Sequence, residues 1–365
     1  MKNSKTFLTG CDVHDKTLVL QSTLGLEEPE LTKWANHRES RGKMIRHLKM
    51  AAQKKSAKRI VFVYEASGSG FGLHDELEAA GIECFVLAPT KIRKSTKDKK
   101  DKSDAKDALR LLEILRAHVL AGNALPAVWV PDPETRDDRE RVRARIDMGK
   151  KITVVKTQIL SLLRRNGVER PGTVGKPWSR PFMGWISDLA VGDEPGLGEG
   201  AQIVLCSLLR QLMFWKAEQA TLDRTVENLS KEKRYTSRVK VLTAEPGVGL
   251  LTAMVFLTEL GKMNRFPNRR KIAAYLGLAP TSFESGEASD RKGHISREGP
   301  CRVRKVLCQA SWYRVRAHPE DKPVFKRMNR RNPRKKKIAI VAMMRRLSIR
   351  LWHLALNEEV GSKTA

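Results

Sequence analysis

A chain of 365 residues with 70 Lys plus Arg against 41 Asp plus Glu carries a formal charge of +29. Such an excess repels itself in a compact fold and calls for a polyanionic partner, nucleic acid first. No apolar run approaches the ~20 residues that span a bilayer. The five cysteines (Cys11, Cys84, Cys206, Cys301, Cys308) form no CxxC pair, which excludes a disulfide framework and a zinc knuckle. The N-terminal MKNSKTFLTG has no apolar core of a secretory signal, so the expectation is a reduced, cytoplasmic protein of two or three domains without a membrane partner.

Residues 6–24 alternate apolar and polar around a short break, predicting a hairpin with Asp12 just past its first strand. Residues 31–56 read as a helix ending in a Lys-rich turn. The run RIVFVY at 59–64 suits a strand buried on both faces. Glu65 follows it directly, then the loop ASGSG and a helix, FGLHDELEAAG. IECFVLAP is the next strand, which makes a βαβ unit. Residues 91–110 hold nine basic and four acidic side chains, first as a loop, then from Ser103 as a helix. The first domain is expected over 1–125.

The middle region, 126–235, shows apolar residues at 3/4 spacing in two stretches. Met148, Ile152, Val155, Ile159 and Leu162 form one. Leu205, Leu208, Leu212, Trp215, Leu222, Val226 and Leu229 form the other. Two helices paired as a coiled coil fit, and so does an ordinary bundle core. Clustered Gly and Pro at 166–200 read as a loop-rich insertion between them, with Trp178 and Trp185 packing its core. A mostly helical unit is expected over 236–350, with a Ser/Gly-rich loop at 281–299 and helices at 300–317 and 337–356, followed by a tail at 351–365.

The chemistry-bearing pattern is acidic. Asp12 and Glu65 sit at strand ends, and Asp104 and Asp107, three apart, share a helix face. In an α/β sheet, strand ends and the following helix converge. Four carboxylates that close repel one another unless a cation joins them. Hard oxygen donors suit Mg²⁺ or Mn²⁺, and two such ions can clamp the attacking and leaving oxygens of a phosphodiester. Lys91, Lys94, Lys97, Lys99, Lys100 and Lys102 then hold the polyanion. His14, His74, His294 and His353 show no ligand spacing, so no zinc site is assigned.

These residues carry a resemblance. G-C-D at 10–12, Y-E-A-S-G at 64–68 and K-S-D-A-K-D-A at 102–108 resemble the DEDD, RuvC-like domain of the insertion-sequence "one-ten" family of transposases. E-P-G-V-G at 245–249, the helix ending in G-L-A-P at 277–280, F-E-S-G at 283–286 and G-H-I-S-R-E-G-P-C-R-V-R-K-V-L at 293–307 resemble that family's second conserved domain. Cys11, Ser67 and Val303 depart from the usual residues, and the 166–200 insertion matches nothing in it.

The resemblance implies a mixed-sheet RNase H/RuvC-like domain, a helical coiled-coil segment and a helical C-terminal domain. It implies that Asp12, Glu65, Asp104 and Asp107 bind metal and that Ser285 attacks the DNA phosphodiester to form a phosphoserine intermediate. It further implies a recombinase acting on target and donor DNA, a non-coding bridge RNA as guide, dimers that assemble into a tetramer, and a prokaryotic, nucleoid-associated setting. With the acids and Ser285 ~180 residues apart, such a site is assembled between domains or subunits. Without the resemblance, Ser282, Ser289 and Ser296 rival Ser285. Further phosphate contacts are expected from Arg297, Arg302, Arg304, Lys305, Arg334, Lys335, Lys336 and Lys337. The rival readings are a Holliday-junction-type nuclease using water on the same metal fold, and a non-catalytic nucleic-acid-binding protein.

Overall fold

A computed structural model describes residues 5–92, 103–282, 292–330, 333 and 336–361. It divides into two compact units, Met1–Val130 and Pro131–Ala365.

The first unit is built on five strands: β1 (Thr6–Val13), β2 (Thr17–Leu24), β3 (Glu30–Ala35), β4 (Arg59–Glu65) and β5 (Glu83–Leu87). They lie in the order β3-β2-β1-β4-β5. The hairpin side is antiparallel, whereas β1–β4 and β4–β5 are parallel, with Cys11 paired to Tyr64. This is the RNase H-like mixed sheet expected from the sequence. The helices are α1 (Arg38–Lys54), α2 (Gly72–Ala79) and α3 (Asp104–Ala121). Strand β4 reads as a continuous apolar run because both its faces are covered. Val61 and Val63 pack with Leu8, Leu111, Leu112 and Leu115 on one side, and Phe62 and Tyr64 with Phe7, Cys11, Leu48 and Leu77 on the other. Two expectations are corrected. Asp12 lies inside β1 rather than past it. The helix expected from residue 31 starts at Arg38, and β3 precedes it. As an edge strand with exposed Glu30 and Lys33, β3 carries too little burial to print a period-2 pattern. The unit ends at Val130 rather than 125 because Val128 N–H donates to the carbonyl of Val86 on β5.

The second unit is helical: α4 (Pro133–Arg165), α5 (Arg180–Val191), α6 (Glu199–Ser230), α7 (Thr236–Thr243), α8 (Leu250–Leu260), α9 (Arg269–Tyr275), α10 (Cys301–Ala317), α11 (Asp321–Arg330) and α12 (Lys336–Gly361). A short ribbon, β6 (Pro280–Ser282) with β7 (Lys292–Ile295), interrupts them. Asp132 caps α4, with Pro133 at its first position. Helices α4 and α6 run antiparallel, tied by Arg145 to Asp223 at 2.5 Å and by Lys151 over the Trp215 ring at 4.3 Å. The segment expected as a loop-rich insertion contributes α5 instead. Its Phe182, Trp185, Ile186 and Leu189 bury against Ile159, Leu205 and Leu212. This end is therefore a small bundle and not a two-stranded coiled coil. At the other end, Val142, Val226 and Leu229 share one core with α8, α10 and α12, so the chain shows no core division at 235.

The segment 351–365, expected as a tail, continues α12 to Gly361, with Leu351, Trp352 and Ala355 in that core. The helix α11 was not expected. Its charge density hides a narrow stripe, Val324, Phe325 and Met328, that packs on Trp312, Ile340 and Met343. No helix among the described residues is long and apolar enough to cross a membrane.

Candidate metal centre

The acids meet because α3 lies very close to β1. A Cβ built at Gly10 would stand 2.4 Å from the backbone oxygen of Ala108 and 2.4 Å from the nitrogen of Leu112, so only glycine admits this approach. The sheet-facing stripe of α3 is Ala108, Leu111, Leu112, Leu115 and Val119. Continued one turn toward the N-terminus, the same stripe reaches Asp104 and Asp107. Ser103 caps the helix, its hydroxyl accepting from Lys106 N–H. Carboxylates in that first turn face the positive end of the helix dipole. On the sheet, Leu8 and Gly10 turn toward α3, and period-2 alternation puts Asp12 on the same face. Glu65 continues the alternation of Val61 and Val63 on the adjacent parallel strand, at the same end as Asp12. The Cys11 side chain is on the opposite face, where burial pushes its thiol pKa up. Its S–H points to the Asp12 backbone carbonyl at 3.6 Å.

Among the described residues, Asp12, His14 and Asp104 form a group whose ligand atoms all lie within 4.8 Å of one another. His14 Nε2 is 3.1 Å from Asp12 Oδ2 and 3.3 Å from Asp104 Oδ1. The Asp12 carboxyl is pushed above its usual value, first by burial. Asp107 and Asp104 raise it further, whereas the neighbouring His14 opposes the shift. A half-buried carboxylate crowded by two others, with an imidazole facing it, is a donor set that a divalent cation fits. The structure thus brings Asp12, Asp104 and Asp107 into one electrostatic neighbourhood and sets Glu65 at the adjacent strand end. It also adds His14, for which the sequence alone shows no ligand spacing to another histidine. The signal was available: Asp12 and His14 are two apart, which on extended chain is same-face spacing.

The other expected site residues fall differently. Ser285, Lys94, Lys97, Lys99, Lys100, Lys102, Arg334 and Lys335 lie outside the described residues. Lys91, Arg297, Lys305, Lys336 and Lys337 are exposed. Arg302 and Arg304 are engaged within the fold. Arg302 Nη2 pairs with Asp147 at 2.8 Å, and Arg304 Nη1 donates to the carbonyls of Leu276, Glu298 and Gly299. Trp185 is buried in the bundle, with Trp178 stacked edge-on against Phe182.

Comparison with known proteins agrees in chain order. The family model described as DEDD transposase of the IS110 type matches residues 10–166. The model described as "Transposase IS116/IS110/IS902 family" matches residues 239–326. A putative transposase, y4qE, of Sinorhizobium fredii is 29% identical over 69% of this chain, and the match spans 58% of that relative's own length. The transposase for insertion sequence element IS1533 of Leptospira borgpetersenii is 24% identical over 83% of this chain and 84% of its own. Among solved structures, T. thermophilus RuvC in complex with a Holliday junction substrate aligns with 33% of this chain and 99% of that one, at 14% identity and a TM-score of 0.24. The DEDD domain with its carboxylate cluster implies dependence on a divalent metal ion. With both of the family's domains present in order, the chain belongs to the IS116/IS110/IS902 family of transposases.

Proposed function

We propose that this protein moves an insertion sequence by cutting and rejoining DNA, with Mg²⁺ held by Asp12, Glu65, Asp104 and Asp107 and with Ser285 as the nucleophile. The observation that carries this reading is the meeting of Asp12 and Asp104 at the end of β1 and the start of α3, where the packing of α3 on Gly10 fixes the spacing. Clustered carboxylates raise the free energy of the metal-free fold, a cost tolerated where a cation is to be bound.

When bound, a divalent cation supplies Lewis acidity at the scissile phosphodiester. The protein's own groups do the rest. The four carboxylates would hold that cation, and His14 stands between Asp12 and Asp104. Ser285 Oγ attacks phosphorus, so an Oγ–P bond forms as the bond from phosphorus to one deoxyribose oxygen breaks. The serine proton passes to a base, and the departing oxygen takes up a proton. The phosphodiester count is conserved, so a second deoxyribose hydroxyl can reverse the step and rejoin strands without ATP. Lys91, Lys94, Lys97, Lys99, Lys100 and Lys102, with Arg297, Lys305, Arg334, Lys335, Lys336 and Lys337, supply phosphate contacts for DNA and for a guide RNA. In this reading the guide is a non-coding bridge RNA and the working assembly is a tetramer of two dimers.

The test uses protein purified from cells carrying the element's flanking DNA. Co-purifying RNA is sequenced, and labelled target and donor duplexes are added with Mg²⁺. The expected result is an element-encoded RNA and a protein–DNA adduct on a denaturing gel, lost in Ser285→Ala and in Asp12→Asn. Cleavage without an adduct, unchanged in Ser285→Ala, would instead establish a water-using nuclease.

A further inference from the structure

His14 lies between two of the carboxylates, and several parts of the fold place it there. It begins the turn between β1 and β2, where its backbone N–H donates to Thr17 O at 2.9 Å. The Asn36 side-chain amide donates to His14 O at 2.7 Å, and Asn36 N–H donates to Lys16 O at 2.9 Å. Arg41 Nη1 in turn donates to Asn36 Oδ1 at 3.0 Å, and its Nε and Nη2 grip both oxygens of Glu76 at 2.7 Å. A chain of side chains from α2 through α1 thus fixes the loop that carries the imidazole. Such outer support is what holds a ligand's position at a metal site.

The distances suit a shared ion. Neighbouring donor atoms around an octahedral cation with bonds of 2.0–2.1 Å stand about 3 Å apart. His14 Nε2 stands 3.1 Å from Asp12 Oδ2 and 3.3 Å from Asp104 Oδ1. The imidazole nitrogen and the two carboxylate oxygens therefore occupy positions that one cation can bridge. The His14 side chain is 43% exposed, so its ring meets solvent and incoming metal without any rearrangement of the core.

We propose that His14 Nε2 is a ligand of the divalent cation held by Asp12 and Asp104, which makes this an N,O-donor site that binds Mn²⁺ in preference to Mg²⁺. The inference rests on the reading of the acids as the metal site and adds a donor to it. The chemical reason is donor hardness. Mg²⁺ is bound through oxygen and sheds its waters reluctantly, whereas first-row transition ions accept imidazole readily. Replacing one oxygen donor by nitrogen therefore shifts preference toward Mn²⁺. His14 Nε2 lies within hydrogen-bond distance of Asp12 Oδ2, so binding of the ion through this nitrogen displaces any proton it carries.

The experiment uses the full chain, Mn²⁺ alone and Mg²⁺ alone, with no DNA. Titration calorimetry gives the affinity of each ion, and electron spin-echo spectroscopy of the Mn²⁺-loaded protein reports nitrogen bound directly to the metal. In the wild type the expected result is a directly coordinated ¹⁴N signal. His14→Gln is expected to lose that signal and about tenfold or more in Mn²⁺ affinity, with Mg²⁺ affinity changed by less than about twofold. Circular dichroism confirms that this exposed variant is folded. If Mn²⁺ binds with no coordinated nitrogen, or if both ions weaken equally in His14→Gln, the histidine only positions the carboxylates and the inference is overturned while the metal site stands. If Mn²⁺ does not bind the wild type more tightly than Asp12→Asn, the metal site itself is wrong, and the ligand role of His14 falls with it.

Discussion

Gly10 on β1 and Ala108 on α3 are in backbone contact: a Cβ on the glycine would lie 2.4 Å from the alanine carbonyl oxygen. This contact sets the height of α3 above the sheet, and with it the distance from Asp104 and Asp107 to Asp12. Gly10→Ala must push the helix away or distort the strand. Overpacking of this kind costs on the order of 1–3 kcal/mol. The expected outcome is a lowered urea midpoint together with weaker Mn²⁺ binding. A destabilised variant with unchanged metal affinity would show that the acids tolerate a shift of α3.

Much of this centre was legible from local pattern. RIVFVY can hardly be anything but a doubly covered strand. Ser103 followed by Asp104 and Asp107 reads as a cap and an acidic first turn, and a strand-end acid next to such a helix points to convergence. Other features were hidden because they depend on neighbours. The edge strand β3 has no core on one side to impose alternation. In α11 a three-residue stripe is diluted by Lys322, Lys326, Arg327 and Arg330. In α5 the flanking glycines and prolines mask a helix whose aromatic face packs on α4 and α6. The role of Gly10 is invisible without α3 above it, since nothing in G-C-D says which residue a helix will press upon.

Asp12 carries a pH prediction. Burial and the neighbouring Asp107 and Asp104 hold its carboxyl above the ordinary value of 3.8. A carboxyl raised in the folded state favours folding only below its ordinary value, and this contribution is lost as pH rises through the raised folded value. At neutral pH, without metal, ionised Asp12 therefore opposes folding. Asp12→Asn is expected to melt above the wild type at pH 7 in chelator, and the gap should close near pH 3, where the wild-type carboxyl is protonated. Saturating Mn²⁺ should reverse the order, because only the wild type gains the binding free energy. Thermal melts at the two pH values, with and without Mn²⁺, check all three statements.

In the helical unit, Asp138 on α4 is fully buried. Tyr235 O–H donates to its Oδ2 at 2.6 Å, and Arg234 Nη2 donates to Oδ1 at 2.9 Å. Burial still raises the carboxyl above its usual range, against the pull of both partners. Removing one hydroxyl leaves a buried acceptor short of a donor, at a cost of about 1–3 kcal/mol. Tyr235→Phe, which keeps the ring in the core, is expected to lower stability by that amount in urea. It should leave Mn²⁺ affinity unchanged, since no residue of the carboxylate cluster is touched. An unchanged urea midpoint would mean that Arg234 alone satisfies Asp138.

The last turns of α12 give the sharpest test of the helical core. Trp352 is 4% exposed, and its indole N–H donates to the carbonyl of Met263 at 3.0 Å. Two residues before Gly361, Glu359 Oε2 accepts from Met263 N–H at 2.7 Å. Met263 is itself fully buried, so α12 closes both polar backbone groups of a residue that has little access to water. Trp352→Ala removes a large apolar side chain at a cost of about 3–5 kcal/mol and leaves that carbonyl with the Phe266 N–H, 3.3 Å away, as its donor. Truncation after Arg350 removes Leu351 and Ala355 from the same core as well, and it frees the Met263 N–H. The truncated chain is expected to lose cooperative unfolding of its helical unit and to become sensitive to protease within it, while the sheet unit keeps its Mn²⁺ site. Unaltered melting on truncation would return residues 351–365 to the status of a dispensable tail and would show that the rest of this core, from α4 to Leu347, holds without them.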